Sequence, residues 1–104
     1  MANYSATFHA LSDPTRRAVL TQLARGRASV NALAEGHEMA LPSFLKHLKV
    51  LEGAGLILSE KQGRRRICRL NPQALRPAED WLAQQRQEWE GRTDRLAAFV
   101  EKED

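Results

Sequence analysis

The hydrophobic period of this chain changes once, sharply, at Gly53-Ala54-Gly55, and that change limits the folds open to it. Before it, Phe44, Leu48 and Leu51 recur at the spacing of one helix face, with Pro42, Lys46 and Lys49 on the opposite side. After it, Leu56–Lys61 and Arg66–Leu70 read as two strands around the turn Gln62-Gly63-Arg64-Arg65. A helix followed directly by a glycine-turned hairpin predicts a winged helix, provided that a further helix stands just before it.

That helix is predicted from Ser29 as cap to Gly36 as stop, with Val30, Leu33 and Ala34 inward, and a tight segment joins it to the helix over Met39–Leu51. Upstream, Tyr4, Phe8 and Leu11 mark a short amphipathic helix. Asp13 as N-cap and Pro14 at the first helical position open a second one, which buries Ala18, Val19, Leu20 and Leu23 and ends by Gly26. Downstream, residues 77–101 can run as one long helix whose apolar positions 78, 82, 89, 96 and 99, with Trp81 and Val100 beside them, approximate a heptad stripe. Gly91 interrupts that stripe. A lone helix cannot hide two tryptophans, and the simplest partner is the same helix of a second copy. The expected fold is mainly α with a small β-hairpin: a single winged helix-turn-helix domain over 1–104, dimerising through its N- and C-terminal helices. Residues 5–71 form its DNA-binding body, with the wing near 57–70 and the C-terminal dimerisation helix at 77–101. The dimer interface is expected at Tyr4, Phe8, Leu11, Trp81, Leu82, Trp89, Leu96 and Phe99.

Charge points to the ligand. Residues 1–71 hold eleven Lys and Arg against five Asp and Glu, a net of +6, while residues 72–104 hold five against eight, a net of −3. Lys61, Arg64, Arg65, Arg66 and Arg69 crowd one hairpin with no acid among residues 61–69, a density that suits phosphates or a minor groove. On the fourth helix Pro42, Ser43, Leu45, Lys46 and Lys49 face outward and His47 lies beside them. The N-terminal half of a recognition helix meets base edges, and the apolar Pro42 and Leu45 could meet thymine methyls. The expected DNA contacts are therefore Pro42, Ser43, Leu45, Lys46, His47, Lys49, Arg64, Arg65 and Arg66, on double-stranded DNA. For His47, half-burial is the competing role. Arg16 and Arg17 stay ambiguous between pairing with an acid, capping a helix and touching a phosphate.

Other chemistry is not signalled. The chain shows no nucleophile–base pair, phosphate loop or metal-ligand spacing, so neither catalysis nor a cofactor is expected. His9, His37 and His47 are placed on three different helices without ligand spacing. The single cysteine, Cys68, allows no internal disulfide and reads as a packed strand residue, with oxidation sensing as the alternative. No apolar run is long enough to span a bilayer and no signal peptide is evident, so a cytoplasmic protein is expected.

Three segments together resemble the ArsR family of winged-helix regulators: Phe8-His-Ala-Leu-Ser-Asp-Pro-Thr-Arg-Arg17, Leu41-Pro-Ser-Phe-Leu-Lys-His-Leu-Lys-Val-Leu-Glu-Gly-Ala-Gly-Leu-Ile57 and Gly63-Arg-Arg-Arg-Ile-Cys-Arg-Leu70. The resemblance covers about residues 5 to 71. It implies a homodimeric repressor that binds a pseudo-palindromic operator and releases it when an effector loosens the complex. The Cys-x-Cys by which some members bind metal is replaced at the matching positions by Ser29 and Asn31, and the last helix holds no histidine, so a metal-independent branch is expected. Ala40 and Leu45 stand where a serine is common in the recognition helix, which bears on the operator sequence rather than on DNA binding. The alternative function is a winged-helix protein-interaction module without sequence-specific DNA binding. Trp81 and Trp89 admit two roles, dimer core or the lining of a pocket for a small organic effector.

Overall fold

In the computed structural model, which describes residues 4–103 (side chains included, save those of Thr93, Asp94, Leu96, Ala98, Phe99 and residues 101–103), Asp13-Pro14 divides the N-terminal segment into two helices. These are α1 (Tyr4–Leu11) and α2 (Pro14–Leu23). The Asp13 carboxylate accepts the Arg16 amide at 3.1 Å, satisfying a donor that the start of α2 leaves unpaired. The buried face of α2 consists of Arg16, Val19 and Leu23. Ala18, expected inside, is exposed, because the core axis runs through Val19 and Leu23 one turn apart, and Arg16 takes the place beside them.

The helix-turn-helix consists of α3 (Val30–Glu35) and α4 (Leu41–Gly53). Ser29 caps α3, its hydroxyl accepting the Ala32 amide at 3.1 Å. Helix α4 starts two residues later than expected, since Ala40 is its N-cap with no side-chain bond and Pro42 lies in its first turn. It ends in a Schellman motif: the Leu56 amide donates to the Leu51 carbonyl at 3.1 Å and the Gly55 amide to that of Glu52 at 2.9 Å. Gly55 has a φ of +75°, a value that favours glycine, so the period change at Gly53-Ala54-Gly55 has a backbone cause.

Strands β2 (Ile57–Gln62) and β3 (Arg65–Leu70) pair antiparallel from Ile57↔Leu70 to Gln62↔Arg65. The loop is only Gly63-Arg64, and a positive φ at its first residue alone (+65° at Gly63) is the type II′ pattern that follows the twist of the strands. The hairpin extends to a three-stranded sheet in the order β1-β3-β2, because the two-residue strand β1 (Ala28–Ser29) pairs Ala28↔Cys68 and Ser29↔Ile67. Two residues have no period to read, so this strand was not predicted. The core gathers Ala10, Val19, Leu23, Leu33, Phe44, Leu48, Leu51, Leu56, Ile57 and Cys68. Each large side chain buried there contributes about 1.5–3 kcal/mol.

After a 3₁₀ turn (Pro72–Leu75), α5 (Arg76–Glu103) continues through Gly91 without a break in the helix. Its start packs on α1: the Trp81 ring lies 6.0 Å from Tyr4 and 5.8 Å from Phe8.

Candidate nucleic-acid interface

Helix α4 is anchored by three residues on one side, Phe44, Leu48 and Leu51. Their burial leaves Pro42, Ser43, Leu45, Lys46 and Lys49 exposed. Leu45 is 44% exposed, a large apolar side chain held in water beside two lysines. The geometry therefore offers an outward strip that is cationic at its edges and apolar at one point.

The wing lies next to that strip. Arg64, Arg65, Arg66 and Arg69 are exposed, and Arg64, Arg65 and Arg69 make no ion pair with any described residue. Arg66 is more constrained: its guanidinium donates to the Ser59 hydroxyl at 2.9 Å, and that hydroxyl donates to Glu52 at 2.7 Å. This chain of bonds ties the wing to the end of α4. A groove of about 230 Å³ joins the two elements, lined by Leu45 from α4, Arg64, Arg65 and Arg66 from the wing, and Ser29, Val30 and Asn31 from the start of α3. Asn31 was not expected there. Its only sequence signal is an exposed amide two residues past a helix cap, which is common on any surface.

The remaining candidates separate clearly. His47 is half-buried, with Nδ1 3.1 Å from the Arg16 guanidinium and 3.7 Å from the Asp13 carboxylate. Arg16 is therefore a buried clamp rather than a surface cation, and Arg17 donates to the Leu11 carbonyl at 2.8 Å. His37 lies not on a helix but in the α3–α4 loop, stacked on Phe44 at 5.3 Å. Among the described residues no group of three His, Cys, Asp or Glu could hold a metal ion. Cys68 is fully buried, and burial first, then Glu52, pushes its thiol up against the opposing pull of Arg66. That is the reverse of the lowered value a redox sensor needs.

Of the expected dimer residues, Tyr4, Phe8 and Trp81 meet one another within the chain, and Leu11 is half-buried against the core. Leu82 and Trp89 are 51% and 65% exposed, and together with Trp81 they line a shallow groove of about 450 Å³ along α5. The side chains of Leu96 and Phe99 lie outside the described residues.

Comparison with known proteins matches a helix-turn-helix domain family over residues 11–60. The HTH-type transcriptional regulator Rv2034 of Mycobacterium tuberculosis (strain ATCC 25618 / H37Rv) is 40% identical over 68 residues, 65% of this chain and 64% of Rv2034. The chain thus spans just under two thirds of that relative's length. The transcriptional repressor SdpR of Bacillus subtilis (strain 168) is 33% identical over 75 residues, 72% of this chain and 83% of SdpR. Among solved structures, the ArsR family transcriptional regulator RHA00566 is 50% identical at a TM-score of 0.78, covering 83% of this chain and 94% of its own. The homodimeric winged helix-turn-helix DNA-binding domain Mb0332 from Mycobacterium bovis is 25% identical at a TM-score of 0.63, covering 81% of each chain. Among the described residues no helix is long and apolar enough to cross a membrane.

Proposed function

The chain belongs to the ArsR family of transcriptional regulators, and from that premise we propose that it is a cytoplasmic homodimeric repressor, not an enzyme, that binds a pseudo-palindromic operator with α4 and the β2–β3 wing. The observation that carries the reading is the groove in which the outward face of α4 meets Arg64, Arg65 and Arg66, none of which makes an ion pair with a described residue. Cations held unneutralised beside an exposed helix face are suited to phosphates flanking a major groove. Pro42, Ser43, Leu45 and Lys46 take the base edges, with Leu45 and Pro42 against thymine methyls. Lys49 and the wing arginines take phosphates, and Asn31 joins them from α3.

Two copies joined along α5 present two such helices to successive major grooves about 34–36 Å apart. Trp81, Leu82 and Trp89 form the seam, in keeping with the homodimeric state of Mb0332. An organic effector lodged at the same groove would compete with the partner helix for these side chains and so change the angle between the two copies.

The test is fluorescence anisotropy on duplexes selected from a random pool, at several salt concentrations. The expected result is tight binding to one pseudo-palindrome by two chains, with a steep salt slope. Weak binding without sequence preference would replace this reading with that of a protein-interaction module.

A further inference from the structure

Arg16 is the one charged residue that is buried among the described residues, at 8% exposure. A buried guanidinium is stable only where its N–H groups find acceptors. Its Nε donates to the Ala10 carbonyl at 2.7 Å and one Nη to the His9 carbonyl at 2.9 Å, both in the last turn of α1, where helical carbonyls lack partners. The other Nη reaches His47 Nδ1 on α4 at 3.1 Å. A guanidinium can only donate, so in this contact Nδ1 is the acceptor. Asp13 Oδ2, 3.7 Å from the same nitrogen, is beyond hydrogen-bond reach and is already bonded to the Arg16 amide.

We propose that Arg16 and His47 form a clasp that sets the rotation of α4 against α1, and that His47 governs operator recognition as a positioning residue without touching DNA. The inference rests on the reading of α4 as the recognition helix. At about 100° per residue, His47 falls about 60° from the direction of Phe44, on the border between the buried and exposed faces of α4. The apolar anchors Phe44, Leu48 and Leu51 fix how deep the helix lies, but their attraction is non-directional and resists rotation weakly. A hydrogen bond at the edge of the face resists rotation directly. Its other end is Arg16 of α2, whose guanidinium also holds the last carbonyls of α1. Tyr4 and Phe8 of α1 pack on Trp81 of α5, so the clasp refers the recognition face to the body that carries the C-terminal helix. Base-edge contacts depend on that rotation far more than phosphate contacts do.

The test compares His47→Asn, whose amide oxygen can stand where Nδ1 accepts, with His47→Leu, which removes the acceptor. Affinities for operator and for non-specific duplex are measured across salt, with a thermal melt of each variant. His47→Leu is expected to lose about tenfold in operator affinity, the scale of one hydrogen bond to a charged group. Its non-specific affinity and salt slope stay at the wild-type values, and His47→Asn recovers most of the loss. An unchanged operator affinity in His47→Leu overturns the proposal. An equal loss on both duplexes with a shallower slope overturns it too, by making His47 a phosphate contact, as does a His47→Asn variant no better than His47→Leu. If His47→Leu fails to fold, His47→Gln, which presents its acceptor out of register, takes its place in the same comparison. Wild-type protein without operator preference defeats the underlying repressor reading, and it does so before any variant is measured.

Discussion

Asp13 serves two neighbours at once, capping α2 through the Arg16 amide and facing His47 across 3.7 Å. Desolvation pushes its carboxyl up, but the Arg16 amide, the Thr15 amide and the Arg16 guanidinium pull it down, and it lies below the ordinary 3.8. A carboxylate lowered in this way stabilises the fold above its unfolded value, and the contribution is lost as the pH falls through the folded value. Asp13→Asn keeps a good cap without the charge. Below 3.8 wild type should therefore lose thermal stability relative to Asp13→Asn. Melts from about pH 6 to about pH 3 check this, and a gap between the two that stays constant throughout would contradict it. At Cys68 the sign is opposite: a buried thiol with a raised pKa offers almost no thiolate. A thiol-reactive disulfide reagent at neutral pH should leave the native chain unlabelled and label it after denaturation, whereas native labelling at the unfolded rate would show that β3 opens.

Ser29 works for two elements, pairing with Ile67 in the sheet while its hydroxyl caps α3. Ser29→Ala keeps the strand and loses the cap, for a predicted cost of about 1 kcal/mol by urea unfolding. The wing makes a different kind of prediction. Arg64→Ala together with Arg65→Ala should weaken binding to every sequence and flatten the plot of log affinity against log salt by up to about 1.8, since each neutralised phosphate contributes about 0.9. An unchanged slope would place both arginines off the DNA. The hairpin was legible in the sequence to within one residue at the strand ends, expected at Leu56–Lys61 and Arg66–Leu70 and found at Ile57–Gln62 and Arg65–Leu70, because alternation and a glycine turn are local signals, as were the caps Asp13 and Ser29. What was not legible depends on contacts far apart in the chain. Strand β1 exists only because β3 lies beside it, Arg16 is buried only because α1 ends over it, and Asn31 faces the wing only once the hairpin folds back on α3. Nothing in a window of a few residues distinguishes Arg16 from Arg17, yet one is clamped inside and the other lies on the surface.

The molecule measures 72 × 29 × 22 Å with a radius of gyration of 19.4 Å, against about 13 Å for a compact chain of this length. The excess comes from α5, whose 28 residues extend about 42 Å, while only its start packs on α1. Beyond that contact the helix holds Leu82, Trp89 and Val100 at 51%, 65% and 61% exposure. Burying an indole of this size is worth a few kcal/mol, enough to shift a self-association constant by orders of magnitude. If a second copy packs on this face, Trp89→Ala should move sedimentation toward the monomer and leave the melt of the winged body nearly unchanged, because Trp89 is 65% exposed and is not one of the core residues. Its operator affinity should fall, and raising the protein concentration should restore it, since each α4 is intact and only the pairing is weakened. Dilution of wild type should red-shift tryptophan emission as Trp89 returns to water, and Trp89→Ala should lose most of that shift. A Trp89→Ala protein that stays dimeric and binds operator at wild-type concentrations would mean that the copies join elsewhere, with α1 the next surface to test.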